Sequence, residues 1–132
     1  MSEFDKLVRI IKNFPVNETI RDERELEANL EKYLKDVFLT SSFELERQKI
    51  TGNVRNDLVV IAGNKKFCIE LKKFTDVSVA SQIDRYLPLY KDGVILVCWK
   101  CSQTLRDVFN DVKKQIRIPI EVIELRKYQA II

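Results

Sequence analysis

Histidine is absent from all 132 residues of the chain. This absence excludes Ser-His-Asp and Cys-His nucleophile systems, zinc sites ligated by imidazole, and nucleases that use histidine as the general base. A hydrolase built from this sequence would therefore depend on carboxylates, lysine and a metal ion.

Cysteine is scarce, with only Cys68, Cys98 and Cys101 present. All three lie on or beside predicted buried strands, and an odd number in an intracellular chain favours reduced core thiols. Cys98-Trp-Lys-Cys101 has the spacing of half a zinc or redox site. The sequence contains no second half, so a metal or redox role is the less favoured alternative.

Long apolar runs and a signal-peptide core are also lacking, so we expect a cytoplasmic protein without a membrane anchor. The 132 residues, 45% hydrophobic and 33% charged, predict one domain with a substantial core. Because the net charge is only +3, a nucleic-acid surface would require local clustering of basic residues. The candidate pairs of basic residues are Lys65-Lys66, Lys72-Lys73, Lys113-Lys114 and Arg126-Lys127. Pairs of this kind are also common on solvent-exposed faces.

The periodicity of apolar residues predicts the element order ααβββαβαβ, an α/β fold with a mixed central sheet flanked by helices. Strands joined through helices should pair in parallel, and the apolar run that starts at Gly93 is typical of a central strand. We expect an N-terminal helical extension over 1–20 and a core over 21–125. The predicted helices are Asp5–Phe14, Arg21–Phe38, Val77–Tyr90 and Thr104–Gln115, and the predicted strands are Ser42–Ile50, Val54–Ala62, Lys65–Lys72, Gly93–Lys100 and Ile118–Leu125.

Two carboxylates are predicted to face each other across a hairpin. Gly63-Asn64 is a two-residue turn signal, and if Ala62 pairs with Lys65, then Asp57 pairs with Glu70. Opposed side chains on one sheet face lie about 4.5–5.5 Å apart, and like charges placed so are destabilising. A divalent cation held by oxygen ligands would relieve the repulsion, and Lys72 would add an ammonium on the same face. The pattern of an Asp followed by Glu-x-Lys also arises by chance.

Other polar residues lie next to predicted core stripes. Glu23 shares the helical face of Leu26 and Leu30 and should point inward, although an acid at this position also suits the positive end of the helix dipole. Gln82 and Tyr86 lie one helical turn apart, and they could equally form a wetted edge of the core.

In combination these motifs resemble the PD-(D/E)XK nuclease superfamily, and most closely the catalytic domain of NucS-type (EndoMS) endonucleases. The resemblance covers Glu23 to Leu125 and does not include the separate DNA-binding and dimerisation domain of those enzymes, so mismatch specificity is not implied. A Gln-x-x-x-Tyr helix also occurs in RecB-type nucleases, whose four-cysteine iron–sulfur ligands are absent here. The matching segments are Glu23-Arg-Glu-Leu-Glu, Arg47, Gly52 before Asp57-Leu58, Glu70-Leu-Lys72, Gln82-Ile-Asp-Arg85-Tyr86 and Gly93-Val-Ile-Leu-Val.

The resemblance implies a restriction-endonuclease-like core and Mg²⁺- or Mn²⁺-dependent hydrolysis of phosphodiester bonds in DNA, with RNA not excluded. It implies that Asp57, Glu70, Glu23 and the carbonyl of Leu71 bind the metal and that Lys72 acts on the attacking water. It also implies that Gln82 and Tyr86 hold Lys72 or the phosphate in position. The implied nucleic-acid contacts are Arg47, Arg85 and Lys73.

Two other functions remain open from the sequence. A nuclease-fold module could bind nucleic acid without turnover, and a structural or partner-binding domain would bind neither metal nor DNA. We also expect a homodimer, because a small domain of low charge offers few phosphate contacts. Its predicted surfaces are the apolar C-terminus Ala130-Ile131-Ile132 and the helix around Phe109.

Overall fold

The computed structural model describes residues 2–16, 23–47, 50–51, 54–55, 58–75 and 89–129. Its helices are α1 (Glu3–Lys12), α2 (Glu23–Phe38), α3 (Gln103–Gln115) and a short 3-10 helix (Leu125–Lys127). Its strands are β1 (Phe43–Arg47), β2 (Ile50–Thr51), β3 (Val54–Arg55), β4 (Leu58–Ala62), β5 (Lys65–Thr75), β6 (Val94–Cys101) and β7 (Ile120–Glu124).

Five strands form one mixed sheet in the order β1-β4-β5-β6-β7, and β2 pairs with β3 in a separate two-stranded ribbon. The first three strands of the sheet pair antiparallel, whereas β5, β6 and β7 run parallel. The chain returns to the sheet through α3 between β6 and β7, as a parallel connection requires. This arrangement confirms the predicted α/β fold with a mixed sheet.

The β4–β5 hairpin has the predicted register. Ala62 pairs with Lys65 around Gly63, whose φ of 64° is a conformation that glycine adopts at little cost. The described pairing continues to Leu58 opposite Ile69. Asp57 lies outside the described residues, so its pairing with Glu70 stays a prediction.

The β1–β4 and β2–β3 pairings share one antiparallel register, since Arg47 pairs with Leu58 and Ile50 pairs with Arg55. The described parts of the predicted strands Ser42–Ile50 and Val54–Ala62 are β1 with β2 and β3 with β4. The predicted helix Val77–Tyr90 falls largely on residues 76–88, outside the described part. Its last residue, Tyr90, is not helical, since its carbonyl accepts from the amide of Gly93 in a turn.

Two apolar clusters pack on opposite faces of the sheet. The helix-pair face is covered by α1 and α2, whose buried residues contact Phe67, Ile69 and Leu71 of β5. The α3 face includes Cys68 of β5 together with Leu105 and Phe109 of α3. Because side chains alternate along a strand, Glu70 and Lys72 belong to the α3 face with Cys68.

The central strand β6 is buried on both faces, as predicted: all residues from Val94 to Cys98 are buried. Gly93, immediately before it, is required by close packing. A Cβ added there would lie 2.5 Å from Cδ2 of Phe4 in α1. The N-terminal helix therefore packs directly against the start of the central strand.

One side chain links the segment after α1 to the segment after β7. Gln129 accepts a hydrogen bond from the amide of Val16 at 2.8 Å and donates to the carbonyls of Phe14 at 3.0 Å and Leu125 at 3.1 Å. The ammonium of Lys12 also lies 5.1 Å from the ring centre of Tyr128. The segment after α1 is thus fastened to the segment after β7.

None of the helices in the described part combines the length and hydrophobicity that crossing a membrane requires.

Candidate active site

Glu70 is a buried acid in the middle of β5, with 3% of its surface exposed. It stands between Ile69 and Leu71, which enter the apolar cluster on the opposite face. A carboxylate removed from water in this way requires charged or hydrogen-bonding partners. One partner is the ammonium of Lys72, whose Nζ lies 3.5 Å from Oε1 of Glu70.

Lys72 links two elements of the fold. Its Nζ lies 3.9 Å from Oε2 of Glu23 in α2, in addition to its contact with Glu70 on the same strand. The side chain of Lys72 is 26% exposed, so the ammonium stands at the boundary between core and solvent. Lys72 therefore brings together three of the residues predicted for the site: itself, Glu70 and Glu23.

Glu23 is the first residue of α2 and differs from its prediction in one respect. It reaches toward Lys72, as a position on the core-facing side should, but 47% of its side chain is exposed. Glu23 and Glu25 are both acids in the first turn, so the favourable interaction with the helix dipole applies as well.

The other predicted site residues are Asp57, Gln82, Arg85 and Tyr86, which lie outside the described residues. Arg47 ends β1 and Lys73 lies in β5, but their side chains are outside the described part as well. Their roles stay predictions. Within the described ranges, no three acidic or cysteine side chains are close enough together to hold a metal ion.

The oxygen donors near Lys72 are nevertheless of the type that Mg²⁺ and Mn²⁺ prefer. They comprise two carboxylates, one from Glu70 and one from Glu23, and the carbonyl of Leu71 lies on the strand between Glu70 and Lys72. The donor chemistry fits such an ion, and Asp57 would supply the third acid.

A second charged cluster surrounds Glu124 at the end of β7. This acid is 2% exposed and receives the amide of Cys101 at 2.8 Å on Oε1. Its Oε2 contacts Nη2 of Arg106 in α3, Nε of Arg126 at 3.3 Å and Nζ of Lys127 at 3.8 Å. Burial alone would raise the pKa of Glu124, but the hydrogen bond from Cys101 and the three cations outweigh it and lower the pKa below its usual range.

Arg126 and Lys127 form a basic pair in the sequence, but neither Glu124 nor Arg106 was predicted as a site residue. The sequence does contain an indication of Glu124. Every second residue of β7 lies on one face, so Glu124 follows Ile120 and Val122 at a position where an apolar residue would be expected. The spacing alone gives no cation to pair with it, because Arg106 is 18 residues away.

The three cysteines are buried thiols that form no disulfide, as predicted. Burial is the main cause that raises the pKa of Cys98 far above its usual range, and the neighbouring Cys101 adds to it. The Sγ of Cys98 donates to the carbonyl of Ile123 at 3.6 Å. A thiol held protonated in this way is a core residue and a poor nucleophile.

No protein-family model matches the sequence, and no curated protein sequence matches it significantly. Among solved structures, a repair endonuclease from Pyrococcus abyssi superimposes with a TM-score of 0.58 at 19% identity, over 83% of this chain and 49% of that chain. SfsA from Pyrococcus furiosus, solved with Ca²⁺, gives a TM-score of 0.45 at 8% identity, over 75% of this chain and 55% of that chain. The chain spans about half the length of the endonuclease. At the level of the fold, it is similar to a repair endonuclease, as the sequence resemblance implied.

Proposed function

We propose that this protein is a Mg²⁺- or Mn²⁺-dependent nuclease that hydrolyses phosphodiester bonds of DNA, in a repair or restriction role. The observation that carries the proposal is the grouping of Glu23, Glu70 and Lys72, residues from α2 and β5, around a single ammonium. The similarity of the fold to a repair endonuclease supports it.

Four groups would hold the metal ion in this proposal: the carboxylates of Asp57, Glu70 and Glu23 and the carbonyl of Leu71. When bound, the ion would polarise the scissile phosphate and lower the pKa of a water molecule. Glu70 is suited to this role because its strand fixes its position and its burial restricts its motion.

Lys72 would orient the attacking water and stabilise the negative charge that develops on the phosphate. The two carboxylates within 4 Å hold its ammonium at the rim of the sheet, where 26% exposure leaves it accessible to a substrate. Gln82 and Tyr86 would keep Lys72 or the phosphate in register. Further contacts to phosphates would come from Arg47, Lys73 and Arg85.

A homodimer remains part of the proposal, since a second copy would allow both strands of a duplex to be cut. One of its two predicted surfaces loses its basis, because Phe109 is 5% exposed and packs in the core on the α3 face. The other, Ala130-Ile131-Ile132, lies outside the described residues.

The decisive experiment offers labelled single-strand, duplex, flap and four-way-junction DNA to the protein with Mg²⁺, with Mn²⁺ or with EDTA. We expect metal-dependent cleavage of at least one substrate by the wild type. DNA binding without cleavage under every condition would instead indicate a nuclease-fold binding module that lacks turnover. A matched set of RNA substrates determines which nucleic acid is cut.

Thermal unfolding provides a second measurement that does not depend on turnover. Mn²⁺ should raise the melting temperature of the wild type and leave that of Asp57→Ala unchanged, since a ligand stabilises only a folded state that binds it. Equal shifts in the two proteins would locate the metal elsewhere.

A further inference from the structure

The cluster around Glu124 contains more positive than negative charge. One carboxylate meets the side chains of Arg106, Arg126 and Lys127, which leaves an excess of two positive charges. Arg106 is 25% exposed, whereas Arg126 and Lys127 are 47% and 49% exposed. Satisfying a buried carboxylate does not require three cations, so the two exposed ones are available to a ligand.

The position of these cations is fixed by Glu124. Its carboxylate is held by the amide of Cys101 and the guanidinium of Arg106, and its lowered pKa keeps it ionised at neutral pH. Arg126 and Lys127 follow it in the 3-10 helix and contact the same oxygen, Oε2. Two otherwise flexible side chains are thus held together at one point, which reduces the entropy lost when they bind an anion.

The sheet places this point close to the candidate active site. Lys72 of β5 pairs with Cys98 of β6, and Cys98 pairs with Glu124 of β7, so the three lie in one row across the sheet. Alternation assigns all three to the α3 face. At about 4.8 Å between neighbouring strands, Glu124 is roughly 10 Å from Lys72.

β7 ends at Glu124, and β5 and β6 end three residues beyond this row, at Thr75 and Cys101. Ligands of open α/β sheets bind near the carboxyl ends of the strands. A phosphate lies about every 3.4 Å along the axis of one DNA strand, so roughly 10 Å corresponds to about three nucleotides. The spacing and the charge therefore suit a nucleic-acid backbone that passes Lys72 and continues along the carboxyl-terminal edge of the sheet toward Arg126 and Lys127.

We infer that Arg126 and Lys127, anchored by Glu124 and Arg106, bind phosphates of the substrate backbone a few nucleotides from the bond that is cut. The inference rests on the proposed function, which makes the bound nucleic acid a substrate, but the inference itself concerns only binding. It extends the nucleic-acid contacts from β1 and β5 to the opposite end of the sheet.

The test compares Arg126→Gln/Lys127→Gln with the wild type by fluorescence anisotropy, using a labelled 30-nucleotide single strand and a 30-base-pair duplex in EDTA. Affinity is measured from 25 to 200 mM salt. Since each phosphate contact contributes about 0.9 to the slope of log affinity against log salt, we expect the slope for the duplex to fall by roughly two. The variant should keep its melting temperature, because both side chains are half exposed.

Two controls separate position from charge. Lys32→Gln/Lys35→Gln removes the same charge from exposed positions on α2, and Lys35 lies about 18 Å along the helix from Glu23. It should leave the slope unchanged. Arg126→Lys/Lys127→Arg keeps the charge and should retain the wild-type slope.

The outcomes separate the inference from the proposed function. An unchanged slope in the Arg126→Gln/Lys127→Gln variant, an equal loss in the α2 control, or no binding by the wild type would overturn the inference. Cleavage is assayed separately with Mn²⁺. A wild type that binds through Arg126 and Lys127 but never cleaves would contradict the proposed nuclease activity and support nucleic-acid binding by these two residues.

Discussion

Two charged clusters built around strands β5 and β7 of the same sheet have opposite compositions. The cluster around Lys72 contains two acids and one cation among the described side chains, whereas the cluster around Glu124 contains one acid and three cations. Each cluster contains one buried glutamate, Glu70 in the first and Glu124 in the second. The difference indicates two tasks: the excess of acid suits a metal ion, and the excess of cation suits phosphates and holds β7, α3 and the 3-10 helix together.

The largest expected effect is the loss of activity when the acid-rich cluster is changed. Glu70→Gln keeps the shape of the side chain and removes a charge that the proposed metal ion would need, so cleavage should fall by at least about a hundredfold. Its melting temperature without metal should change little, since removing one acid would also relieve the repulsion predicted between Asp57 and Glu70. Initial rates with Mn²⁺ and thermal unfolding in EDTA measure the two effects.

The control for Glu70→Gln is Glu121→Gln, which removes an acid from β7 that pairs with Lys113 at 3.1 Å and is partly exposed. This control should cut at the wild-type rate. A Glu70→Gln protein that also cuts at that rate would end the assignment of Glu70 as a metal ligand.

The next effect is on stability and concerns the cation-rich cluster. Glu124→Gln leaves Arg106, Arg126 and Lys127 without their shared anion. Breaking a buried pair costs about 3–5 kcal/mol, and because two of the cations can return to water we expect about 2–3 kcal/mol here. The melting temperature should fall by roughly 10 °C.

Glu121→Gln again provides the comparison for Glu124→Gln, with an expected change below about 0.5 kcal/mol because exposed ion pairs contribute little. If Glu70→Gln lowered the melting temperature in EDTA as much as Glu124→Gln, the proposed division between a site cluster and a structural cluster would be wrong.

The smallest expected effect is the pH dependence of the stabilisation that Glu124 contributes. The pKa of Glu124 is lowered in the folded protein, so its stabilisation is complete above the unfolded-state value of about 4.3 and is lost as the pH falls through the lower folded value. The difference in unfolding free energy between the wild type and Glu124→Gln should be constant from pH 7 to about 5 and shrink below about 4. Urea unfolding at several pH values measures it, and a difference that does not change with pH would contradict the origin given for the stabilisation.

The sequence predicted the parts of the fold that depend on counting along the chain. The turn at Gly63 sets the register of β4 and β5, so one pairing fixes all five described pairs. The apolar run from Val94 to Cys98 predicted a strand buried on both faces. Both rest on local patterns that the tertiary structure did not override.

Other features depend on how elements meet, which spacing does not encode. Helical periodicity predicted the side of α2 on which Glu23 lies but not the exposure of its side chain, which is 47%. The same periodicity marked an apolar face around Phe109 that we expected a partner to cover, whereas the sheet of the same chain covers it. The Arg106–Glu124 pair required the packing of α3 on β7.

The three hydrogen bonds of Gln129 have a consequence for how the fold opens. They close a loop of more than a hundred residues through one amide side chain, which accepts from Val16 and donates to Phe14 and Leu125. Release of that side chain frees the backbone after α1 and the backbone after β7 in the same step. We therefore expect residues 14–16 and 125–129 to open together in local unfolding, with hydrogen exchange in the two segments changing in parallel.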